Sequence, residues 1–481
     1  MAPLTAWLPA RSNQDFDFIV KIVGPGASVL LNEWSPIAQI LIDRGFTVMA
    51  QSGRLNGDFA DCVLHIRIAT QPFYSMGHGC DVLVYVADHV PEFWRFNLQP
   101  GSVFLWEPPT EPRLHPILPD GVIAYAIPLA DLSTQYAEGL PGKGVAALGA
   151  LLHLLGIPEE SLHRFAPLVT APRSFAAGWD FARRVLKKHD AYSLPFPTTE
   201  EGRSRMLLTP EQAIMVGFAA SSCECGTMCD RELVRSPTQW ITRHMGMTGA
   251  MVSVLDSERH PGVQAYRGPQ GKVMAFLRGD DSSIASCLNG FKAPKVFVAA
   301  DIPDVLKLVI TGHDLIRSGL SDGVGVLIEE TVALRHQSVE IRSLVDMIRR
   351  RSAIVPATAV PYRPDSVAPM VERDRRGEAD VGFVAWGAAQ GVVQDAVALC
   401  RSFGLNVAGL YPRVIVPFPQ EELESFAKTV HRVVLVESSQ THGYGQRLRA
   451  ACSFQVGVLT PFPGQALTPM DIFLRESLGA V

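Results

Sequence analysis

Residues 380–441 read DVGFVAWGAAQGVVQDAVALCRSFGLNVAGLYPRVIVPFPQEELESFAKTVHRVVLVESSQT. Three apolar runs alternate here with two amphipathic helical patterns, which is the grammar of a parallel α/β sheet. Residues 381–386 are the first run, and Gly387 ends it. Residues 392–403 are expected as a helix with Val393, Ala396, Val397 and Cys400 on one face. Residues 407–411 are the second run. Pro417-Phe418-Pro419 then stops the chain before a helix expected to begin near Gln420. Residues 433–436 are the third run, ending in Glu437.

Working outward, the chain has 481 residues, enough for three domains at roughly 150 residues each. At 47% hydrophobic it can bury ample core. The net charge of −5 leaves no basic footprint for nucleic acid. No apolar run reaches the roughly 18–20 uncharged residues needed to span a membrane, and the first residues lack the pattern of a signal peptide. Eight cysteines scattered through so long a chain fit reduced thiols better than a disulfide framework. The composition is that of a cytoplasmic α/β protein.

Residues 16–23, FDFIVKIV, read as a strand that runs into Gly24-Pro25-Gly26-Ala27-Ser28 and a helix over 29–44. A strand, a Gly-containing turn and a helix N-terminus make an anion site, because free backbone N–H groups and the helix dipole converge there. G-x-G alone equally describes a tight turn. Further strands are expected over 45–51, 62–68 and 81–86, with Arg54 in a loop before the third. Residues 143–157 and 175–188 read as helices. His153 lies in the first of these and is read as a buried, hydrogen-bonded residue. Residues 192–207, rich in Pro, Thr and charge, read as a linker. Residues 208–220 read as a helix capped by Thr209 with Pro210 at its first position. Cys223, Cys225 and Cys229 follow as C-x-C-x3-C. Three thiolates could hold a metal, but the spacing matches no common cluster and no fourth ligand is evident, so a packing role is preferred. Strands are expected over 272–279, 293–298 and 324–329, with a helix over 305–318. His336 is read as an exposed loop residue. Residues 343–376, rich in Arg and Pro, read as a second linker with solvated charge.

The strand–Gly–helix unit, LYPRVIVPFP, and VVLVES followed by Gly445-Gln446 resemble the last domain of the α subunit of 2-oxoacid:ferredoxin oxidoreductases, a relative of the transketolase C-terminal domain. The order of the first strands resembles the γ domain of the same superfamily, with GPGAS in place of its Gly-Gly-Gln-Gly core and Arg-Leu-Asn-Gly in place of its Arg-Gly-Gly loop. ITRHMGMTGAMVSVL, with Arg243, His244, Gly246 and Thr248, resembles a strand and helix of its first α domain. The indolepyruvate and 2-oxoglutarate branches are the most similar.

The resemblance implies an α/β fold: three Rossmann-like or thiamine-fold domains in series, with mostly parallel sheets flanked by helices. A γ-like domain would cover 1–191 and a linker 192–207. A shortened thiamine-fold domain would cover 208–340, a second linker 341–378, and a transketolase C-terminal-like domain 379–481. It implies catalytic roles for Arg243 and His244, and cofactor or coenzyme A contacts at Gly24, Gly26, Ser28, Arg54, Asp280 and Asp281. It implies thiamine diphosphate and Mg at an interface with a partner, coenzyme A as co-substrate, and an iron–sulfur cluster on the partner. That partner would be a β subunit in a hetero-oligomer, with ferredoxin or an NAD-linked acceptor taking the electrons and no resident metal on this chain. The implied reaction is oxidative decarboxylation of a 2-oxoacid to an acyl-CoA.

One departure opens an alternative. The family's Thr-bearing segment and the segment that supplies the thiamine-activating Glu have no counterpart between Ser222 and Ile241. That carboxylate favours the imino tautomer that accepts the C2 proton. Without it the chain would be a catalytically silent partner that builds the complex. A free-standing NAD enzyme is disfavoured, since Gln51 and Ser52 stand where an acidic residue would meet the ribose.

Overall fold

The computed structural model describes residues 16–24, 27–54, 62–87, 91, 93, 96–108, 115–134, 141–195, 205–220, 266–267, 273–278, 293–317, 319–321, 323–333, 335–340, 370–375, 377–438, 443–461 and 467–477. The chain divides into two compact units: residues 1–207 with 336–338, and residues 208–335 with 339–481.

In the first unit the elements are β1 (Asp17–Gly24), α1 (Ala27–Asp43), β2 (Thr47–Arg54), β3 (Cys62–Ala69), β4 (Cys80–Tyr85), β5 (Leu98–Trp106), β6 (Ile123–Ala126), α2 (Leu129–Thr134), α3 (Pro141–Leu154), α4 (Glu159–Phe165), α5 (Pro172–Val185) and β7 (Arg205–Leu208). A later strand, β12 in chain order (Arg335–Glu340), joins them. The eight-stranded sheet runs β6-β5-β4-β1-β3-β2-β12-β7. Strands β1, β4, β5 and β6 are parallel, while β3 lies antiparallel between β1 and β2. Strand alternation places Phe18, Val20 and Ile22 of β1 with Leu64, Ile66 and Ile68 of β3 in one core. Helix α1 covers that face with Leu30, Trp34, Ile37, Leu41 and Ile42, a helical stripe, and α3 and α5 complete it with Leu148, Leu151, Phe175 and Trp179. Full burial of each such side chain is worth roughly 1.5–3 kcal/mol. Glu33, buried on α1, accepts the amide and hydroxyl of Thr170 at 2.7 and 2.6 Å, tying the helix to the turn before α5.

The second unit holds α6 (Pro210–Ala220) and two sheets. The first of these contains β8 (Tyr266–Arg267), β9 (Val273–Arg278), β10 (Lys295–Ala299) and β11 (Gly323–Ile328), with α7 (Ile302–Arg317) and α8 (Glu330–Ala333). The second contains β13 (Val371–Arg373), β14 (Ala379–Ala385), β15 (Val407–Pro412), β17 (Val430–Val436) and β18 (Val456–Leu459), with α9 (Ala389–Ser402), α10 (Gln420–Ala427), α11 (Gly443–Ala451) and α12 (Pro469–Ser477). Strand β16 (Val414–Val416) leaves the second sheet and pairs antiparallel with β10, giving the orders β16-β10-β11-β9-β8 and β13-β15-β14-β17-β18. Strands β9, β11 and β10 are parallel, as are β15, β14, β17 and β18. The three apolar runs of residues 380–441 are β14, β15 and β17, and the helix expected from 392 begins at Ala389. Val296, Val298 and Leu327 pack in one core with Trp386, Leu410 and Tyr444.

The architecture is α/β with large, mostly parallel sheets flanked by helices. One reading of the sequence is corrected. His336 is not an exposed loop residue: it lies half-buried in β12, with Nδ1 3.2 Å from the hydroxyl of Ser35 on α1, and burial pushes its imidazole down to about 4. The strand escaped notice because its partners are some 300 residues away, as in the bond from the Val48 amide to the Ser338 hydroxyl. Residues 192–207 end in β7, a strand of the first sheet. His153 rests edge-on against Trp179, with ring centroids 5.4 Å apart, and burial lowers its pKa.

Candidate functional site

Sheet register brings three of the expected residues to one edge of the first unit. Gly24 ends β1 opposite Cys62, and Arg54 ends β2 opposite the same Cys62. Helix α1 starts three residues after Gly24, and Ser28 falls in its first turn. This is the edge at the carboxyl ends of the parallel strands β1 and β4, where open α/β sheets bind ligands. Gly24 is there for close approach. Its φ is +152°, and a Cβ would lie 3.1 Å from the Val86 and Ala87 backbone. The first turn of α1 carries no acidic side chain, so its N–H groups and dipole are not neutralised from within the helix. Gly26, Arg243, His244, Asp280, Asp281 and the cysteines at 223, 225 and 229 lie outside the described residues.

A second set of residues, in the second unit, was not singled out in the sequence. Each sits just beyond the carboxyl end of a parallel strand: Asp301 after β10, Glu329 after β11, Glu437 after β17. The signal was present as an acidic residue closing an apolar run, in VFVAAD, VGVLIE and VVLVE. Glu329 is the centre of this set. Its carboxyl accepts the Ala388 amide at the start of α9 and the Ser438 hydroxyl at 3.5 Å. Burial pushes its pKa up to about 7, and Glu437 adds to the rise. Glu437, fully buried, accepts the Tyr444 amide in the first turn of α11 at 3.1 Å. Both helix N-termini at this edge are thus met by the chain's own carboxyl groups.

Around them lie buried ion pairs. Arg413 donates through Nε to Asp304 at 3.0 Å, and its other arm pairs with Glu372. Arg335 is buried and donates to the Ala300 carbonyl at 3.4 Å. Burial and the neighbouring Asp304 push Asp301 up to about 6. Chemically the set can hold protons near neutrality. It cannot seat a phosphate at the β14–α9 turn, because a Cβ at Gly387 would already lie 2.1 Å from Glu329 Oε2. Among the described residues no group of three or more metal-ligating side chains occurs, and no helix is long and apolar enough to cross a membrane.

Two family models match the chain. Residues 46–173 match Pyruvate ferredoxin/flavodoxin oxidoreductase, and residues 379–453 match Pyruvate:ferredoxin oxidoreductase core domain II. No curated protein matches by sequence. Among solved structures, the 2-oxoglutarate:ferredoxin oxidoreductase from Magnetococcus marinus, determined with 2-oxoglutarate, coenzyme A and succinyl-CoA bound, is similar in fold. Its TM-score is 0.74 at 18% identity, over 96% of this chain and 99% of that one. A pyruvate oxidoreductase subunit from Thermotoga maritima matches 34% of this chain and 96% of its own at 16% identity and TM-score 0.27. The γ subunit of a keto/oxoacid ferredoxin oxidoreductase from Geobacter sulfurreducens matches 36% and 99% at 18% identity and TM-score 0.27. Two oxidoreductase family models thus match in order along one chain, on a fold similar from end to end to that of a 2-oxoacid:ferredoxin oxidoreductase.

Proposed function

We propose that the chain is the fused γ–α subunit of a 2-oxoacid:acceptor oxidoreductase complex that oxidatively decarboxylates a 2-oxoacid to an acyl-CoA. The observation that carries this reading is the order of the two matched regions, 46–173 and then 379–453, on a single chain. In it, thiamine diphosphate, Mg and the iron–sulfur cluster belong to a separate β subunit, and ferredoxin or an NAD-linked carrier takes the electrons. Gly24, Ser28 and Arg54 serve coenzyme A at the carboxyl edge of the first sheet. The α1 N-terminus suits a phosphate there, and Arg54 supplies the positive charge. Arg243 and His244 are assigned to catalysis, and Asp280 and Asp281 to the cofactor.

Thiamine diphosphate, when bound, supplies the carbanion chemistry of decarboxylation. Activating it needs a carboxylate directed at its aminopyrimidine. The described carboxyl groups at the carboxyl edges of the second unit do not fit that role, because Glu329 and Glu437 are engaged at helix N-termini and Asp301 accepts the Asp304 amide in the first turn of α7 at 2.8 Å. No step through the cofactor is therefore assigned to these residues. This observation favours a second reading, in which the chain is a silent assembly partner at its own thiamine position.

Co-expression with a β chain that carries the diphosphate motif and a cysteine cluster separates the two. Dye reduction that requires both a 2-oxoacid and coenzyme A supports the enzyme subunit. A stable complex without turnover supports the silent partner. If the enzyme reading holds, Arg54→Ala raises the KM for coenzyme A about tenfold with little change in kcat, the pattern expected when uniform binding is lost. An unchanged KM removes Arg54 from the site.

A further inference from the structure

The carboxyl edge of the first sheet carries an ion pair that the proposed function leaves out. Val23 of β1 pairs with Tyr85 of β4, and Tyr85 pairs with Trp106 of β5. Gly24, Val86 and Glu107 come next along these three neighbouring strands, so they stand in one row across the edge. A Cβ on Gly24 would lie 3.2 Å from Val86 Cβ. Two strand spacings put Glu107 about 10 Å from Gly24 at the backbone. Arg54, opposite Cys62, ends the row on the other side of Gly24.

Trp106 packs with Phe104 on the face turned away from α1, and strand alternation sends Glu107 to the other face, where the helices lie. Its Oε1 accepts the Ala130 amide in the first turn of α2 at 2.5 Å. Its Oε2 holds Lys143 Nζ at 3.0 Å. Lys143 lies in the first turn of α3, and that turn rests on α1: a Cβ on the adjacent Gly144 would lie 2.7 Å from Leu30 Cδ1. Lys143 is therefore a cation placed between the end of β5 and the first turns of α1 and α3.

The pair is open to solvent. The Lys143 side chain is 33% exposed and that of Glu107 23%, so water touches both and a ligand oxygen can take the water's place without parting the core. Ion pairs that solvent reaches are weak, so the ammonium can change partner at little cost. Glu107 then loses one bond and keeps another, because Oε1 stays with the Ala130 amide.

The charge of the competing ligand group decides whether the exchange happens. A carboxylate and a phosphoryl group inside a diphosphate ester each carry a single negative charge. A phosphate monoester carries about −1.5 to −2 at neutral pH and offers three strong acceptor oxygens. Of these, the monoester outcompetes Glu107 for the ammonium. We propose that Lys143 is a binding residue for a phosphate monoester, held by Glu107 until the ligand takes it over. The inference rests on the coenzyme A reading of this edge and deepens it: Lys143 meets the 3′-phosphate of the nucleotide end. Ligands without that phosphate leave the pair with Glu107 in place.

The test is calorimetric titration of the full chain with coenzyme A and with 3′-dephospho-coenzyme A, at one pH and ionic strength. The wild type should bind coenzyme A about tenfold more tightly than the dephospho form, the worth of one charge-assisted contact. Lys143→Met should weaken coenzyme A by about that factor and leave the dephospho form unchanged. Glu107→Gln keeps an acceptor for Ala130 and removes the competitor, so it should tighten coenzyme A roughly threefold. A merely structural ion pair predicts the reverse for Glu107→Gln, since either variant would then loosen the same contact and weaken both ligands alike. Equal affinity of the wild type for the two ligands overturns the inference without any variant having to fold. So does a Lys143→Met chain that keeps the preference, or a Glu107→Gln chain that binds coenzyme A more weakly. If coenzyme A binds and Arg54→Ala weakens it while Lys143→Met does not, the inference fails and the reading of the edge stands. If the wild type binds no coenzyme A, the reading of the edge fails and takes the inference with it.

Discussion

A carboxyl group buried beside another carboxyl keeps its proton to higher pH, and Glu329 shows the consequence for stability. Its folded pKa, about 7, stands above its ordinary value of 4.5. Between those values the folded chain binds more protons than the unfolded chain, so stability falls as pH rises. The contribution is whole below the unfolded value and is gone once pH passes about 7. The difference corresponds to at most about 3 kcal/mol. Urea midpoints measured across that window should decline with pH in the wild type and decline less in Glu329→Gln, which keeps an acceptor for the Ala388 amide without ionising. Identical slopes would remove Glu329 as the source. Gly387 is the companion residue. With φ at +55° and Glu329 against its Cα, Gly387→Ala is both strained and blocked. A loss of about 2–3 kcal/mol in equilibrium unfolding is expected, partly relieved when Glu329→Ala is added. The sequence showed Gly387 as the end of a strand, but not the carboxyl that requires it. Ala388, the next residue, is already 59 positions from Glu329 along the chain.

At the scale of elements, α3 and α5 form the tightest helix pair in the first unit. A Cβ on Gly178 would lie 1.9 Å from the Ala146 carbonyl oxygen, and one on Gly149 2.1 Å from the Phe175 carbonyl oxygen. The two backbones meet with no room for a methyl group. Gly178→Ala must part them and lose core contacts around Trp179, so a destabilisation of roughly 2–4 kcal/mol is expected by thermal or urea unfolding. Val185→Ala, on the exposed end of the same helix, is the control and should change stability by less than about 0.5 kcal/mol. Both helices were legible as Ala- and Leu-rich or amphipathic stretches. Their mutual approach was not, since a glycine within a helical pattern reads only as a weak breaker until its neighbour is known.

At the scale of the molecule, β12 shows how far the fold departs from the linear order of domains. Residues 336–338 belong to the first unit although the chain around them belongs to the second. Within the first sheet β12 stands between β2 and β7. A fragment of residues 1–207 therefore lacks the strand that pairs with β2 and presents its backbone edge. Such a fragment should self-associate in size-exclusion chromatography, and adding a peptide of residues 335–340 should reduce that association. A monodisperse fragment would show that the edge is protected without β12.

The sequence by itself determined the class of fold and much of its grammar. The apolar runs and helical patterns of residues 380–441 specified β14, α9, β15, α10 and β17, because each strand is buried along its length and each helix buries its own stripe. It also carried the resemblance to the superfamily and placed Gly24 at the end of the first strand, while it put Arg54 in a loop where the structure has the last residue of β2. What only the tertiary structure decided are the relations that local pattern cannot encode. Register set Gly24 and Arg54 on either side of Cys62, β16 crossed to another sheet, and β12 joined a distant one. Burial also gave Glu329, Asp301 and His336 their altered protonation. Desolvation and the approach of remote charges depend on three-dimensional distance, and sequence separation carries no measure of it.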